Sequence, residues 1–194
     1  LQDNMQRMAD WIGSAATLLA EDSGGGSFDE VWPAIWLRLA RECPDKPLPL
    51  PVVSCTLEFR GQFDTFDALN RRDAENLDGY FQDEGLIGGP AIGSKGKAPA
   101  ATALRATEVL RAPQAGLLAY CVELGDEVNK GDRIADLVRL DGDDAFVERI
   151  PLVAGTTGRV ISRATTKYVW RNANIAKIVG TEILESRGDY LLSD

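Results

Sequence analysis

Glu58 is the side chain best suited by type and setting to do chemistry. It belongs to the run Val52-Val53-Ser54-Cys55-Thr56-Leu57-Glu58-Phe59, whose β-branched and aromatic residues read as a strand. The two-residue period of a strand puts Ser54, Thr56 and Glu58 on one face and Val53, Cys55, Leu57 and Phe59 on the other. Glu58 falls at the C-terminal end of this run, the edge at which open α/β sheets bind ligands. A carboxylate there could take a proton from water and pass it to a leaving group. Arg60 follows on the same face, and its two-pronged guanidinium suits a substrate carboxylate. The same spacing also allows a plain Glu58–Arg60 ion pair, and from spacing alone the ion pair is the stronger reading.

Other chemistry is narrowed by what the chain lacks. It has no histidine, so by itself it builds neither a histidine-ligated zinc site nor a Ser-His-Asp triad. Cys43, Cys55 and Cys121 stand far apart and form no CxxC pair, which signals neither a disulfide framework nor a zinc knuckle. No Asp-rich loop has EF-hand spacing. Ser23-Gly24-Gly25-Gly26-Ser27 exposes backbone N–H groups that could approach a substrate closely; a surface loop is the plainer reading. No GxxxxGK[ST] pattern supports a nucleotide phosphate loop.

The elements that must position Glu58 follow from periodicity. Met5, Met8, Ala9, Ile12 and Ala16 recur at helical spacing, which predicts a helix over 2–16. Residues 17–20 read as a short buried strand. Val31, Ile35, Leu39 and Ala40 predict a helix over 28–42, with Pro33 in its first turns. A proline-rich connection over 44–51 leads into the strand that carries Glu58. Asp64 or Thr65 is expected to cap the next helix, which bears Phe66, Leu69, Leu77, Tyr80 and Phe81 and stops at Gly85. Alternation of strand and helix favours an α/β layer. Residues 88–99, rich in Gly, Pro, Ala and Lys, read as linker.

From about Thr107 the composition turns to short β-rich runs with a weak internal repeat. Gly116 and Gly158 stand 42 residues apart, and Ile134-Ala135 and Ile175-Ala176 stand 41 apart. Two such half-motifs are expected to pair into one small sandwich or barrel. The organisation read from sequence is therefore 1–90 α/β, 91–106 linker and 107–194 all-β.

The net charge of −9 makes nucleic acid a poor partner, and no run of about eighteen apolar residues predicts a membrane span. The cysteines read as reduced, and the expected location is the cytoplasm.

Two sets of motifs carry a family resemblance. Arg111-Ala112-Pro113, Gly116, Glu123-Leu124-Gly125-Asp126-Glu127-Val128 and Lys130-Gly131-Asp132 resemble one half of a biotinyl/lipoyl-type barrel-sandwich hybrid. Ser23-Gly24-Gly25-Gly26-Ser27-Phe28, Thr56-Leu57-Glu58-Phe59-Arg60-Gly61 and Arg71-Arg72-Asp73-Ala74-Glu75 resemble the succinylglutamate desuccinylase/aspartoacylase family. The resemblance implies the C-terminal part of a zinc-carboxypeptidase-like α/β domain followed by a small β domain. It implies a zinc-dependent deacylase acting on an N-acyl amino acid or diamino acid, on carbon-nitrogen or ester-type bonds, with Glu58 as general base and acid. Zinc would polarise the carbonyl and acidify its water. Neither the family's early His-x-x-Glu motif nor its later His can be placed here, so the zinc ligands are expected upstream of Leu1, with none in this chain and the fragment inactive alone. The expected partner is a small-molecule substrate, with homo-oligomerisation open. In the family the β domain leans over the site, which gives Tyr168 and Trp170 either a contact role or simple core packing. No lysine lies between Leu140 and Phe146, so covalent biotin or lipoate is not expected. The alternative is a non-catalytic binding or scaffold protein that keeps the fold without the metal.

Overall fold

The computed structural model describes residues 2–20, 27–48, 53–143 and 145–185. They form two units, Leu1–Thr17 with Glu21–Ala101 and Leu18–Ala20 with Thr102–Asp194. In chain order the elements are α1 (Gln2–Ile12), β1 (Leu18–Leu19), α2 (Phe28–Glu42), α3 (Asp67–Asp83), β2 (Thr102–Ala103), a short 3-10 turn (Leu104–Ala106), β3 (Thr107–Arg111), β4 (Gly116–Tyr120), β5 (Glu127–Val128), β6 (Arg133–Val138), β7 (Arg149–Val153), β8 (Gly158–Arg163), β9 (Tyr168–Val169) and β10 (Asn174–Gly180). Helix and sheet are thus both present, as expected.

In the first unit α1 packs on α3. Trp11 is buried and its indole N–H donates to Asp83 Oδ2 at 2.9 Å, while Arg7 pairs with Glu84. Gly79 makes the close approach possible, because a Cβ there would lie 2.6 Å from the Trp11 ring and 2.0 Å from the Ile92 carbonyl oxygen. α1 ends four residues before the expected Ala16. Gly13 takes φ +72, and the N–H groups of Gly13 and Ser14 both donate to the Ala9 carbonyl; this left-handed stop closes the helix whatever the apolar spacing beyond it. α2 spans the expected residues. α3 starts at Asp67 after Phe66, so neither Asp64 nor Thr65 is its cap. Asp64 is used elsewhere: its carboxylate accepts from the Gly61 N–H at 3.0 Å, and its own N–H donates to the Gly61 carbonyl.

The Gly- and Pro-rich stretch after α3 has little regular structure but is held in place. Asn76 Oδ1 accepts from the Ser94 N–H at 3.0 Å, Gln82 Oε1 from the Ile92 N–H at 2.8 Å, and Asp10 Oδ1 from the Ala98 N–H at 2.9 Å. Of the three donor residues only Ala98 is buried, and a buried backbone N–H needs such a partner when no ladder supplies one.

In the second unit β1 pairs in parallel with β2; Leu18 and Leu19 are half-buried rather than buried. Two four-stranded antiparallel sheets follow, in the orders β3-β10-β8-β5 and β7-β6-β4-β9. The internal repeat accounts for these orders. Shifting by one copy turns β3, β4, β5 and β6 into β7, β8, β9 and β10, and turns one sheet order into the other. Each half gives two strands to each sheet, and its two-residue strand pairs with the other half: β5 with β8, and β9 with β4. Neither half closes a sheet alone. One core cluster draws on both sheets, with Ile134, Leu137, Val160, Ile175 and Ile178 fully buried. Gly131 sits in the turn before β6 at φ +95, and the repeat places Asn172 at φ +67 before β10. Asparagine is the residue besides glycine that best tolerates this conformation.

Among the described residues of this unit, Asp136 is the buried charge. Burial alone would push its carboxyl up, but hydrogen bonds from Arg133 and Arg149 and their charges outweigh it and hold its pKa below the usual range. A depressed carboxylate contributes stability that is present above the unfolded-state pKa and is lost as pH falls through the folded one. Asp136→Asn is therefore expected to flatten the loss of stability on the acid side, below about pH 4, as read from urea midpoints across an acid pH series.

Candidate active site

Residues 53–59 carry the candidate side chains, yet they form no strand. This corrects the strand reading for all but Val52, which lies outside the described residues. Composition favours a strand, but a strand also requires a neighbour. Among the described residues the backbone of 53–59 makes no backbone hydrogen bond.

The segment is anchored by side chains instead. Thr56 Oγ1 donates to Asp29 Oδ2 of α2 at 3.2 Å, and the Cys55 thiol lies 3.4 Å from the Met8 sulfur of α1. Desolvation, with the Asp29 charge behind it, pushes the Cys55 thiol up. That direction disfavours the thiolate, so Cys55 is poorly suited to be a nucleophile.

The far end is fixed by Arg60. Its guanidinium makes a two-pronged contact with Asp73 of α3, one arm at 3.0 Å and the other shorter. Asp73 is buried. The ion pair joins two motifs singled out in sequence, Thr56–Gly61 and Arg71–Glu75, across thirteen residues. It also holds Arg60 at φ +59, a left-handed conformation that disfavours a non-glycine residue by on the order of 1 kcal/mol. Asp73→Asn is expected to lower the thermal midpoint. It should lower it far less in an Arg60→Met background, because the loss runs through that pair.

This pairing settles how Glu58 stands. Arg60 is engaged by Asp73, and among the described residues Glu58 has no hydrogen-bond or ion-pair partner and is exposed. The Glu58–Arg60 ion pair is not formed. Asp73 is the residue that sequence reasoning left without a role. Its signal was position: Asp73, Asn76 and Tyr80 form the buried stripe of α3 at helical spacing.

Of the remaining candidates, Ser23, Gly24, Gly25 and Gly26 lie outside the described residues, and Ser27 precedes α2 without a side-chain cap. Tyr168 and Trp170 belong to the second unit, where their rings meet edge-on at 5.0 Å. Both are exposed, so simple core packing does not describe them.

No protein-family model and no curated protein sequence matches this chain. Solved structures do. A protein from Shewanella frigidimarina, assigned to succinylglutamate desuccinylase/aspartoacylase, superposes with TM-score 0.76 over 91% of this chain at 20% identity. A protein of the same family from Shewanella amazonensis does so with TM-score 0.74 over 89% at 24% identity. The fold is that of succinylglutamate desuccinylase/aspartoacylase proteins. The chain spans about half the length of these structures, 48% and 47% respectively. The family resemblance read in the motifs therefore holds at the level of the fold.

The desuccinylase/aspartoacylase resemblance implies a zinc ion, and the described residues do not fit one. Among the described residues no three His, Cys, Asp or Glu side chains converge into a set that could hold a metal ion. Nor is any described helix long and apolar enough to cross a membrane.

Proposed function

We propose that this chain is part of a deacylase that hydrolyses the amide bond of an N-acyl amino acid or diamino acid, with Glu58 as the proton-transfer group. The observation that carries the reading is the Glu58 carboxylate, exposed and without a hydrogen-bond or ion-pair partner among the described residues, two residues before a left-handed Arg60 that Asp73 holds from α3. An uncompensated carboxylate in a segment anchored at both ends is available for chemistry. The solved structures named for desuccinylase and aspartoacylase supply the reaction class.

In this reading Glu58 takes a proton from the attacking water and delivers it to the departing amine. Arg60 has a positioning role through Asp73, and a substrate carboxylate reaching it would share the guanidinium with Asp73. The zinc that this reaction class uses would be held by residues outside this sequence, and the β unit resembles a lipoyl-type domain without its modified lysine.

The test is hydrolysis of a panel of N-acyl amino acids with zinc supplied. The 194-residue chain alone is expected to be inactive and the encoded protein at its full length active. A full-length protein that is folded, retains no zinc and hydrolyses nothing on the panel would leave the alternative, a binding protein on a hydrolase fold.

A further inference from the structure

Two adjoining surfaces of the first unit have no partner among the described residues. The first is α2. None of its residues is buried. Phe28, Val31, Trp32, Ile35, Trp36 and Leu39 recur at spacings of three and four, with exposures from 40% to 85%. A helix with a free face normally turns charge to water and its apolar stripe to a core. A contiguous apolar stripe of this kind marks a site of contact. The second is residues 53–59, rich in β-branched and aromatic side chains, whose backbone N–H and C=O groups form no backbone hydrogen bond among the described residues. Unpaired groups in a segment of strand-like composition accept an added strand. The Thr56–Asp29 hydrogen bond ties this segment to the first turn of α2.

We propose that residues 53–59 and the apolar face of α2 together form a docking surface for a further α/β polypeptide, the counterpart of the half of the matching structures that this chain does not span. The occupant adds a β-strand beside residues 53–59 and covers Trp32, Ile35 and Trp36. Length argues for this occupant. Structures that superpose on 91% and 89% of the chain carry about as many residues again, enough to supply both a strand and an apolar layer. The inference stands on the fold and on these two surfaces, so it does not depend on the deacylase reading.

Amide hydrogen exchange tests it on two samples: the 194-residue chain, and the protein recovered from its own source cells through a C-terminal tag, weighed by native mass spectrometry. In the chain alone the amides of 53–59 are expected to exchange at rates close to those of an unfolded peptide. In the recovered protein they should exchange at least about a hundredfold more slowly, together with an added polypeptide of similar length, continuous with this chain or separate from it. The double variant Trp32→Glu, Ile35→Glu should leave the thermal midpoint of the 194-residue chain unchanged and abolish the added protection. Equal exchange in both samples, protection accompanied only by a second copy of this chain, or an added protein that leaves 53–59 unprotected would each overturn the proposal. So would a double variant that unfolds the 194-residue chain, since α2 would then belong to its own core.

Discussion

Glu58→Gln is expected to lower kcat/KM for an N-acyl amino acid by a factor of about a hundred or more, the range that removal of a positioned acid-base group produces. The amide keeps the size and polarity of the carboxylate but cannot carry the proton. Because Glu58 is exposed and has no bonded partner among the described residues, the substitution removes no hydrogen bond or ion pair of theirs, and the thermal midpoint of the 194-residue chain should stay where it is. That combination separates a chemical role from a structural one. If Glu58 served only as a solvated surface charge, neither quantity would move. If it supported the segment, both would fall together. The loss should sit mainly in kcat, since proton transfer is needed in the transition state rather than in substrate binding.

Ile178→Ala should have the largest effect on stability. Ile178 is fully buried in the cluster shared by both sheets, and its strand β10 pairs with both β3 and β8. The removed methyl and methylene groups leave a space that neighbours on two strands cannot easily fill. Such truncations destabilise by about 2–5 kcal/mol, which denaturant unfolding of the second unit would show as a lowered midpoint with an unchanged slope. Ile178→Val, which keeps most of the volume, should lose about 0.5–1.5 kcal/mol. Equal losses in the two variants would mean that the site is not packed as described.

In the second unit the turns are the part legible in sequence, because glycines at turns act within a few positions of themselves. The repeat of 41 to 42 residues adds longer-range information, since it relates the two sheet orders. Asn172 in the left-handed position of Gly131 shows the repeat preserving backbone geometry while changing residue type. What stays hidden in sequence is that β5 pairs with β8 and β9 with β4, each across the two halves, since pairing partners lie outside any local window. The first unit was less legible. Apolar periodicity found α2 residue for residue but overran α1, because Gly13 stops the helix by backbone conformation rather than by polarity. On α3 the buried stripe includes Asp73 and Asn76, which apolar spacing passes over and only their bonds to Arg60 and Ser94 justify. The run around Glu58 has the composition of a strand, but strand formation depends on a neighbour, and none of the described residues supplies one. The motifs that carry the resemblance are tied together in space even where the expected strand is absent among the described residues. Arg60 and Asp73 come from two of those motifs and meet in space.

Glu58 is expected to serve a hydrolase that cuts N-acyl bonds. The most direct test is to follow release of free amine from a panel of N-acyl amino acids by the encoded protein at its full length, with zinc supplied. Turnover of at least one member of the panel is expected, with its loss in Glu58→Gln. A folded protein that releases no amine from any member, or whose turnover is the same with Gln at position 58, would contradict it.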